Sequence, residues 1–223
     1  MPETSIFTPE LFAFLRQLKR HNNRDWFARN KPRYQQVVVE PALRFIGGFA
    51  APLAKLSSNF VADARPMGGS LFRIYRDTRF ASDKRPYKTH VGISFRHAKG
   101  KDVHAPLFYL HLEPGGCFAA AGVWHPDNPT LTRIRAAIVR QSAEWAKISR
   151  KLELEGDSLM RPPRGYDPQH PFIEDIKRKD YVVSVALSEE QVCGASLMRE
   201  FAAACKTMAP LVEFTTKALG LKF

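Results

Sequence analysis

The segment LFYLHLEPGGCFAAAGVW, residues 107–124, has the pattern of a β-hairpin. Apolar and polar side chains alternate along its first half, as they do in a strand with one buried face. Pro114, Gly115 and Gly116 follow, and glycine supplies the positive φ that a tight hairpin turn requires. Because the same period of two begins at Ser70, the sequence predicts an antiparallel meander of four strands: Leu71–Arg76, Thr89–Arg96, Leu107–Glu113 and Cys117–Trp124.

In the sequence, segments whose apolar residues have helical spacing precede and follow the predicted strands. Thr8 and Pro9 predict the start of a first helix, and Asn128 and Pro129 predict the start of another. Tyr181–Leu187 is a fifth strand candidate. The predicted fold class is α+β, with an antiparallel sheet of about four to five strands and helices from both ends of the chain packed on it. We expect a single domain over residues 1–223, made of N-terminal helices 8–57, a central sheet 70–125 and C-terminal helices 128–219.

The composition is that of a folded, basic chain. Its 223 residues carry 34 Lys and Arg against 22 Asp and Glu, a net charge of +12, which favours an anionic partner. We expect an anionic small molecule, with a nucleic acid as the alternative; the oligomeric state does not follow from the sequence. Three cysteines without a C-x-x-C pair and a start without a signal-peptide pattern predict a cytoplasmic protein. Because Phe45–Ala54, the longest mostly apolar run, is far shorter than the ~20 residues that span a bilayer, no membrane partner is expected.

Residues 72–90 form a basic segment that is also rich in aromatic rings. Between residues 73 and 88 there are six cationic and two anionic side chains, a net charge of +4. A guanidinium group can bind two oxygens at once, so this density predicts a site for phosphate or carboxylate groups. An alternative stays open, in which the arginines pair with Asp77, Asp83 and Glu113 and are structural. The predicted ligand-binding residues of the segment are Arg73, Arg76, Arg79, Lys84, Tyr87, Lys88 and His90.

Alternation along the second and third predicted strands places polar side chains on one face of the sheet. His90, Tyr109, His111 and Glu113 share that face if the registers of the two strands agree. His111 and Glu113 therefore join the ligand-binding residues, and His111, Glu113 and His90 are the candidate catalytic residues. The His111-x-Glu113 spacing is also half of a metal site, which His90 or His125 could approach in the fold. Because no other histidine has zinc-site spacing, the sequence predicts no metal; whether the protein uses a cofactor stays unknown.

The sequence contains no G-x-S-x-G motif, no glycine-rich phosphate loop and no dinucleotide fingerprint. The leading hypothesis is therefore binding, with or without turnover, of a phosphorylated or carboxylated small molecule in a basic pocket on the sheet face. The first alternative is a nucleic-acid-binding module that uses the basic loop 73–88, with Phe80 and Tyr87 as stacking platforms and a basic stripe continuous with residues 177–179. The second is an interaction scaffold with a structural arginine network. Whether the protein is an enzyme stays open.

Several motifs taken together resemble the conserved bacterial and fungal proteins grouped as domain of unknown function 2461. They are NNRDWF at 22–27, FRIYRDTRF at 72–80, KRPYKTH at 84–90, YLHLEPGG at 109–116, PRGYDPQHP at 163–171 and KRK at 177–179. The resemblance extends from about Phe7 to Phe214 and implies a complete member of one family. It implies no activity, cofactor or catalytic residue.

Overall fold

The structure, a computed structural model, describes residues 5–100 and 105–223. At its centre is an antiparallel sheet of five strands that lie in chain order, each paired with the next. Together with the helices this confirms the predicted α+β fold class. The strands are β1 (Phe60–Val61), β2 (Val91–His97), β3 (Leu107–Leu112), β4 (Cys117–Val123) and β5 (Tyr181–Leu187).

Helices from both ends of the chain pack on this sheet. The N-terminal ones are α1 (Pro9–Arg20), α2 (Arg24–Tyr34) and α3 (Glu40–Leu56), with a π-helical turn, Gln35–Val39, between α2 and α3. The C-terminal ones are α4 (Asn128–Arg140), α5 (Ser142–Ser149), α6 (Ile173–Ile176), α7 (Glu189–Cys193) and α8 (Leu197–Ala218). α1 and α4 start where the sequence predicted. Prolines occupy the first turns of both helices, where a missing backbone N–H is tolerated.

One face of the sheet is buried against the helices. Ile93 of β2 and Leu110 of β3 stand opposite each other in the register and are fully buried. Phe49 of α3 closes over this face, with its ring centroid 4.7 Å from that of Phe95 and 4.8 Å from that of Phe201 in α8. Burial of each such side chain contributes about 1.5–3 kcal/mol to the free energy of folding, which holds the helices on this face. Polar side chains are left to the other face.

The predicted first strand, Leu71–Arg76, is wrong as a regular strand. Ser70–Phe72 runs beside β2, where the Phe72 N–H donates to the Gly92 carbonyl. The chain then leaves the sheet edge and pairs with its own return, so that the Lys88 N–H donates to the Ile74 carbonyl at 2.8 Å. A ladder needs consecutive pairings to one neighbour, and this segment changes neighbour after three residues. The short strand β1, which was not predicted, pairs with the far end of β2 instead.

α2, the π-helical turn and α3 form one continuous helical stretch, Arg24–Leu56, of 33 residues. By length and composition alone this stretch could cross a membrane, and no other helix of the described residues meets the same criteria. Its most apolar part is 44% buried, and Phe45, Ile46 and Phe49 are core residues. Core helices of soluble proteins meet the same criteria, so the stretch is weak evidence for a membrane span.

Candidate functional site

The polar face of the sheet carries the residues that the alternation predicted. Gly92 lies opposite His111 in the β2–β3 register, and Ser94 lies opposite Tyr109. Tyr109 and His111 therefore project from the face opposite the core. His90 directly precedes β2, and its ring centroid is 4.5 Å from that of His111. The registers of the two strands thus agree in the way the prediction required.

A chain of polar contacts runs along β3 from Tyr109 to Glu113. The Tyr109 hydroxyl oxygen lies 3.1 Å from His111 Nδ1, and His111 Nε2 lies 3.2 Å from Glu113 Oε2. The Thr89 hydroxyl is 3.4 Å from the other carboxylate oxygen of Glu113, a weak hydrogen bond. Phe118 of β4, directly opposite His111, stacks on the imidazole with a centroid separation of 4.6 Å. His111 is consequently held on both nitrogens and on one ring face.

Burial determines the protonation of this group. It lowers the pKa of His90 to about 4, with a further contribution from the neighbouring His111. Burial also lowers the pKa of His111, although the hydrogen bond to Glu113 opposes this shift. The pKa of Tyr109 is raised to about 12, again chiefly by burial. Both imidazoles are therefore neutral near pH 7, and each has one nitrogen lone pair; in His111 both nitrogens already have polar partners.

His90, His111 and Glu113 are close enough together to hold a metal ion, with one ligand atom of each within 4.8 Å of the others. The sequence predicted no metal, because no other histidine has zinc-site spacing, although His90 or His125 could approach His111 in the fold. Of the two histidines that could have approached His111, the structure brings His90 close and places His125 far away. His125 follows β4 at the opposite end of the strands, where its Nδ1 lies 3.1 Å from Asp180.

Three arginines of the basic segment are paired with carboxylates. Asp83 accepts from Arg76 at 2.6 Å and from Arg85 at 2.7 Å, and Asp77 accepts from Arg79 at 2.7 Å. Hydrogen bonds from Arg79 lower the pKa of Asp77 to about 2, and those from Arg85 and Arg76 lower the pKa of Asp83 well below its usual range. These contacts are what the structural alternative predicts for Arg76 and Arg79. Lys84 donates to the Thr78 carbonyl and helps close the loop.

Arg73 and Lys88 differ from these arginines. Among the described residues no carboxylate forms an ion pair with either of them. Lys88 is half-buried, with its ammonium 5.3 Å from the ring centroid of Phe72. Burial lowers the pKa of Lys88, and the nearby Arg73 guanidinium lowers it further. The charges of Lys88 and Arg76 in turn disfavour protonation of His90, so these cations lie beside the histidine pair.

Tyr87 anchors the basic segment to the helices. Its side chain is 4% exposed, and its ring stacks on Phe27 of α2 at 4.1 Å. The Asn22 side chain donates to the Tyr87 carbonyl at 2.9 Å and accepts from the Tyr87 N–H at 3.0 Å. The predicted role of Tyr87 as a stacking platform for bases is therefore wrong, because the core covers its ring. Phe80, the other predicted platform, is 95% exposed.

Two contributors to the site were not predicted. Phe118 could have been found from the hairpin, because a turn at residues 113–116 places it opposite His111. Asn22 lies 65 residues from Tyr87, and no local pattern indicates that contact. The nucleic-acid alternative also predicted a basic stripe that continues into residues 177–179. Those residues precede β5 at the diagonally opposite corner of the sheet, and Lys177 and Arg178 pair with Glu174 and Asp175.

Two cavities of the described residues lie away from the histidines. One of about 500 Å³ opens between β5, residues 151–155 and Met208 of α8, and a smaller one of about 230 Å³ lies beside it. The histidine cluster lines neither of them. It is instead open to solvent on the side of Glu113, whose side chain is 32% exposed against 12% for His111.

Comparison with known proteins supports the family assignment. The family described as "Conserved hypothetical protein (DUF2461)" matches residues 10–214. No curated protein matches the sequence. The matched range covers most of the chain and includes the whole basic segment and the histidine cluster. The chain therefore belongs to the DUF2461 family of conserved hypothetical proteins.

Proposed function

We propose that the protein binds a phosphorylated or carboxylated small molecule at the edge of the polar sheet face. Arg73 and Lys88 supply the positive charge in this proposal, and His90, His111 and Glu113 orient the bound molecule. The observation that carries it is a pair of neighbouring cations that form no ion pair with a carboxylate among the described residues, although Arg73 is near enough to Asp77 to help lower the pKa of that carboxyl.

The electrostatic reason is specific to these two cations. A half-buried ammonium has lost part of its hydration, and a guanidinium nearby raises its energy further. An anion placed between them would offset both effects, and Arg73 would supply two donors to one phosphate or carboxylate group. Arg76, Arg79 and Arg85 already have such partners in Asp83 and Asp77, so they are assigned to holding the loop.

Turnover of the bound molecule would use the histidines. A neutral imidazole with its second nitrogen oriented by a neighbour is suited to accept a proton from water or from a hydroxyl. Glu113 orients His111 in this way through Nε2, and Nδ1 would accept the proton once the bound molecule displaces its contact with the Tyr109 hydroxyl. Hydrolysis or group transfer at a phosphoester or acyl group is the chemistry that such a cationic, histidine-bearing site favours.

Thermal unfolding with a panel of phosphates, nucleotides and carboxylates tests the proposal. At about a hundred times its dissociation constant, a ligand should stabilise the protein by roughly 2.7 kcal/mol and raise Tm by several degrees. We expect Lys88→Met and Arg73→Ala to lose this shift. The matched control Arg79→Ala, which removes an exposed cation of the same loop, should keep it.

The nucleic-acid alternative gives a different result in the same assay. Phe80 is almost fully exposed beside Arg79, which suits stacking on a base. Oligonucleotides alone would then shift Tm, the shift would vanish at high salt, and Phe80→Ala would abolish it while Lys88→Met would not. That outcome would replace the small-molecule proposal. No shift with any compound would leave the arginines as structural residues.

A further inference from the structure

We infer that His90, His111 and Glu113 form a binding site for one divalent first-row transition-metal ion. The inference goes beyond anion binding and does not depend on Arg73 or Lys88. It revises the prediction from the sequence that there is no metal site.

The separations within the cluster are near those of a coordinated ion. Ions of the zinc type lie about 2.0–2.2 Å from nitrogen and carboxylate ligands, so two atoms on one ion are roughly 3–3.5 Å apart. His111 Nε2 and Glu113 Oε2, at 3.2 Å, already have this separation. The cluster as a whole lies within 4.8 Å, so the third ligand atom needs a movement of roughly 1–2 Å, within reach of a side-chain rotation.

His90 is the side chain that is free to make this movement. Within residues 5–100 and 105–223 its imidazole forms no hydrogen bond and no ion pair, and its ring lies over that of His111. His90 also precedes the paired residues of β2, which begin at Val91. A polar, half-buried imidazole without a partner is therefore aimed at a second imidazole and a carboxylate.

His111 has the outer contacts that a metal-bound histidine needs. The second nitrogen of such a histidine usually meets a polar group that sets the tautomer and the ring orientation. The Tyr109 hydroxyl lies 3.1 Å from Nδ1, and Phe118 stacks on the ring. Binding of an ion would replace the hydrogen bond between Nε2 and Glu113: with the ring proton on Nδ1, donated to the Tyr109 hydroxyl, Nε2 presents its lone pair to an ion between it and Glu113.

The ligand types select the class of ion. Two imidazoles and one carboxylate suit Zn²⁺, Fe²⁺, Mn²⁺ or Co²⁺, whereas Mg²⁺ and Ca²⁺ prefer oxygen ligands. Three protein ligands leave coordination positions for water or for an anion. Because Glu113 is more exposed than His111, these positions would face solvent on the side of Glu113.

Titration of the chelator-treated full chain with Co²⁺, followed by visible absorption, tests the inference, and Zn²⁺ in calorimetry gives the affinity. We expect one equivalent per chain. His111→Ala and Glu113→Gln should each weaken binding at least tenfold. Tyr109→Phe should weaken it about tenfold, the lower end of the range for groups that orient a ligand.

Two variants serve as controls. His125→Asn removes a histidine at the other end of the strands, and Asn tolerates the positive φ of 47° at that position; it should bind like the wild type. Lys88→Met should also keep metal binding, which separates this inference from the proposed anion site. Absence of saturable binding, or wild-type affinity in either folded variant, His111→Ala or Glu113→Gln, would overturn the inference. Glu113→Gln preserves shape, so it still decides the question if His111→Ala does not fold.

Discussion

Gly92 makes room for the tyrosine that orients His111, and substituting it should destabilise the protein. A Cβ at residue 92 would lie 2.6 Å from the Tyr109 hydroxyl oxygen and 2.9 Å from Cδ2 of Phe72. Ordinary contacts begin near 3.4 Å, so Gly92→Ala requires the hydroxyl to move by about 0.8 Å and the phenyl ring by about 0.5 Å. We expect this movement to disturb the 3.1 Å contact of the hydroxyl with His111.

The size of the effect follows from two opposing terms. Overpacking of this kind costs about 1–3 kcal/mol. The lower chain entropy of unfolded alanine relative to glycine offsets about 0.4–1 kcal/mol of it. We therefore expect Gly92→Ala to reduce the free energy of unfolding by about 1–2 kcal/mol, measured by urea denaturation with an unchanged m-value.

A control and a double mutant make this expectation specific. Gly47 lies on the exposed side of α3, and a methyl group added there would have no atom within 4 Å, so Gly47→Ala should stabilise by about 0.5–1 kcal/mol. In a Tyr109→Phe background the hydroxyl is gone, so Gly92→Ala should cost about 1 kcal/mol less than in the wild type. Wild-type stability of Gly92→Ala, or an equal cost of the substitution in both backgrounds, would refute the proposed clash with the Tyr109 hydroxyl.

Two further predictions concern other parts of the structure. Asn22→Ala should destabilise the protein by about 2–3 kcal/mol, because it leaves the buried N–H and carbonyl of Tyr87 without their partner. The control Asn30→Ala removes only a contact within α2 and should cost under about 1 kcal/mol. Urea denaturation of both variants measures these changes. The thiols of the native protein should react slowly with a disulfide reagent at pH 8 and rapidly after unfolding. The reason is that burial raises the pKa of Cys117 to about 11 and so lowers its thiolate fraction. Rapid reaction of Cys117 in the native protein would contradict the placement of that side chain.

The parts of the fold that were predictable depend on neighbours in the chain. The hairpin of β3 and β4 was predicted because Pro114 and two glycines set the turn, and the alternation on each side set the faces. The same alternation placed Tyr109 and His111 on one face before any pairing was known. Patterns of this kind depend on the backbone period and on turn geometry, both of which are local.

The first predicted strand shows where this kind of reasoning ends. Leu71–Arg76 has strand-like residues, but the neighbour available to it changes along its length. Strand formation depends on a partner, and no property of the segment itself states which partner it has. Tyr87 was misjudged for a similar reason, because Phe27 and Asn22 approach it from a different part of the chain.

The candidate site divides along the same line. The basic segment and the polar sheet face were predictable from charge and from the alternation of apolar and polar side chains, because both are properties of the sequence. The packed chain decided which cations are paired: Arg76 and Arg79 have carboxylate partners, whereas Arg73 and Lys88 form no ion pair with a carboxylate among the described residues. It also brought His90 close to His111 and Glu113. Contacts between residues far apart in the chain are set by burial of the whole core, which no local pattern contains.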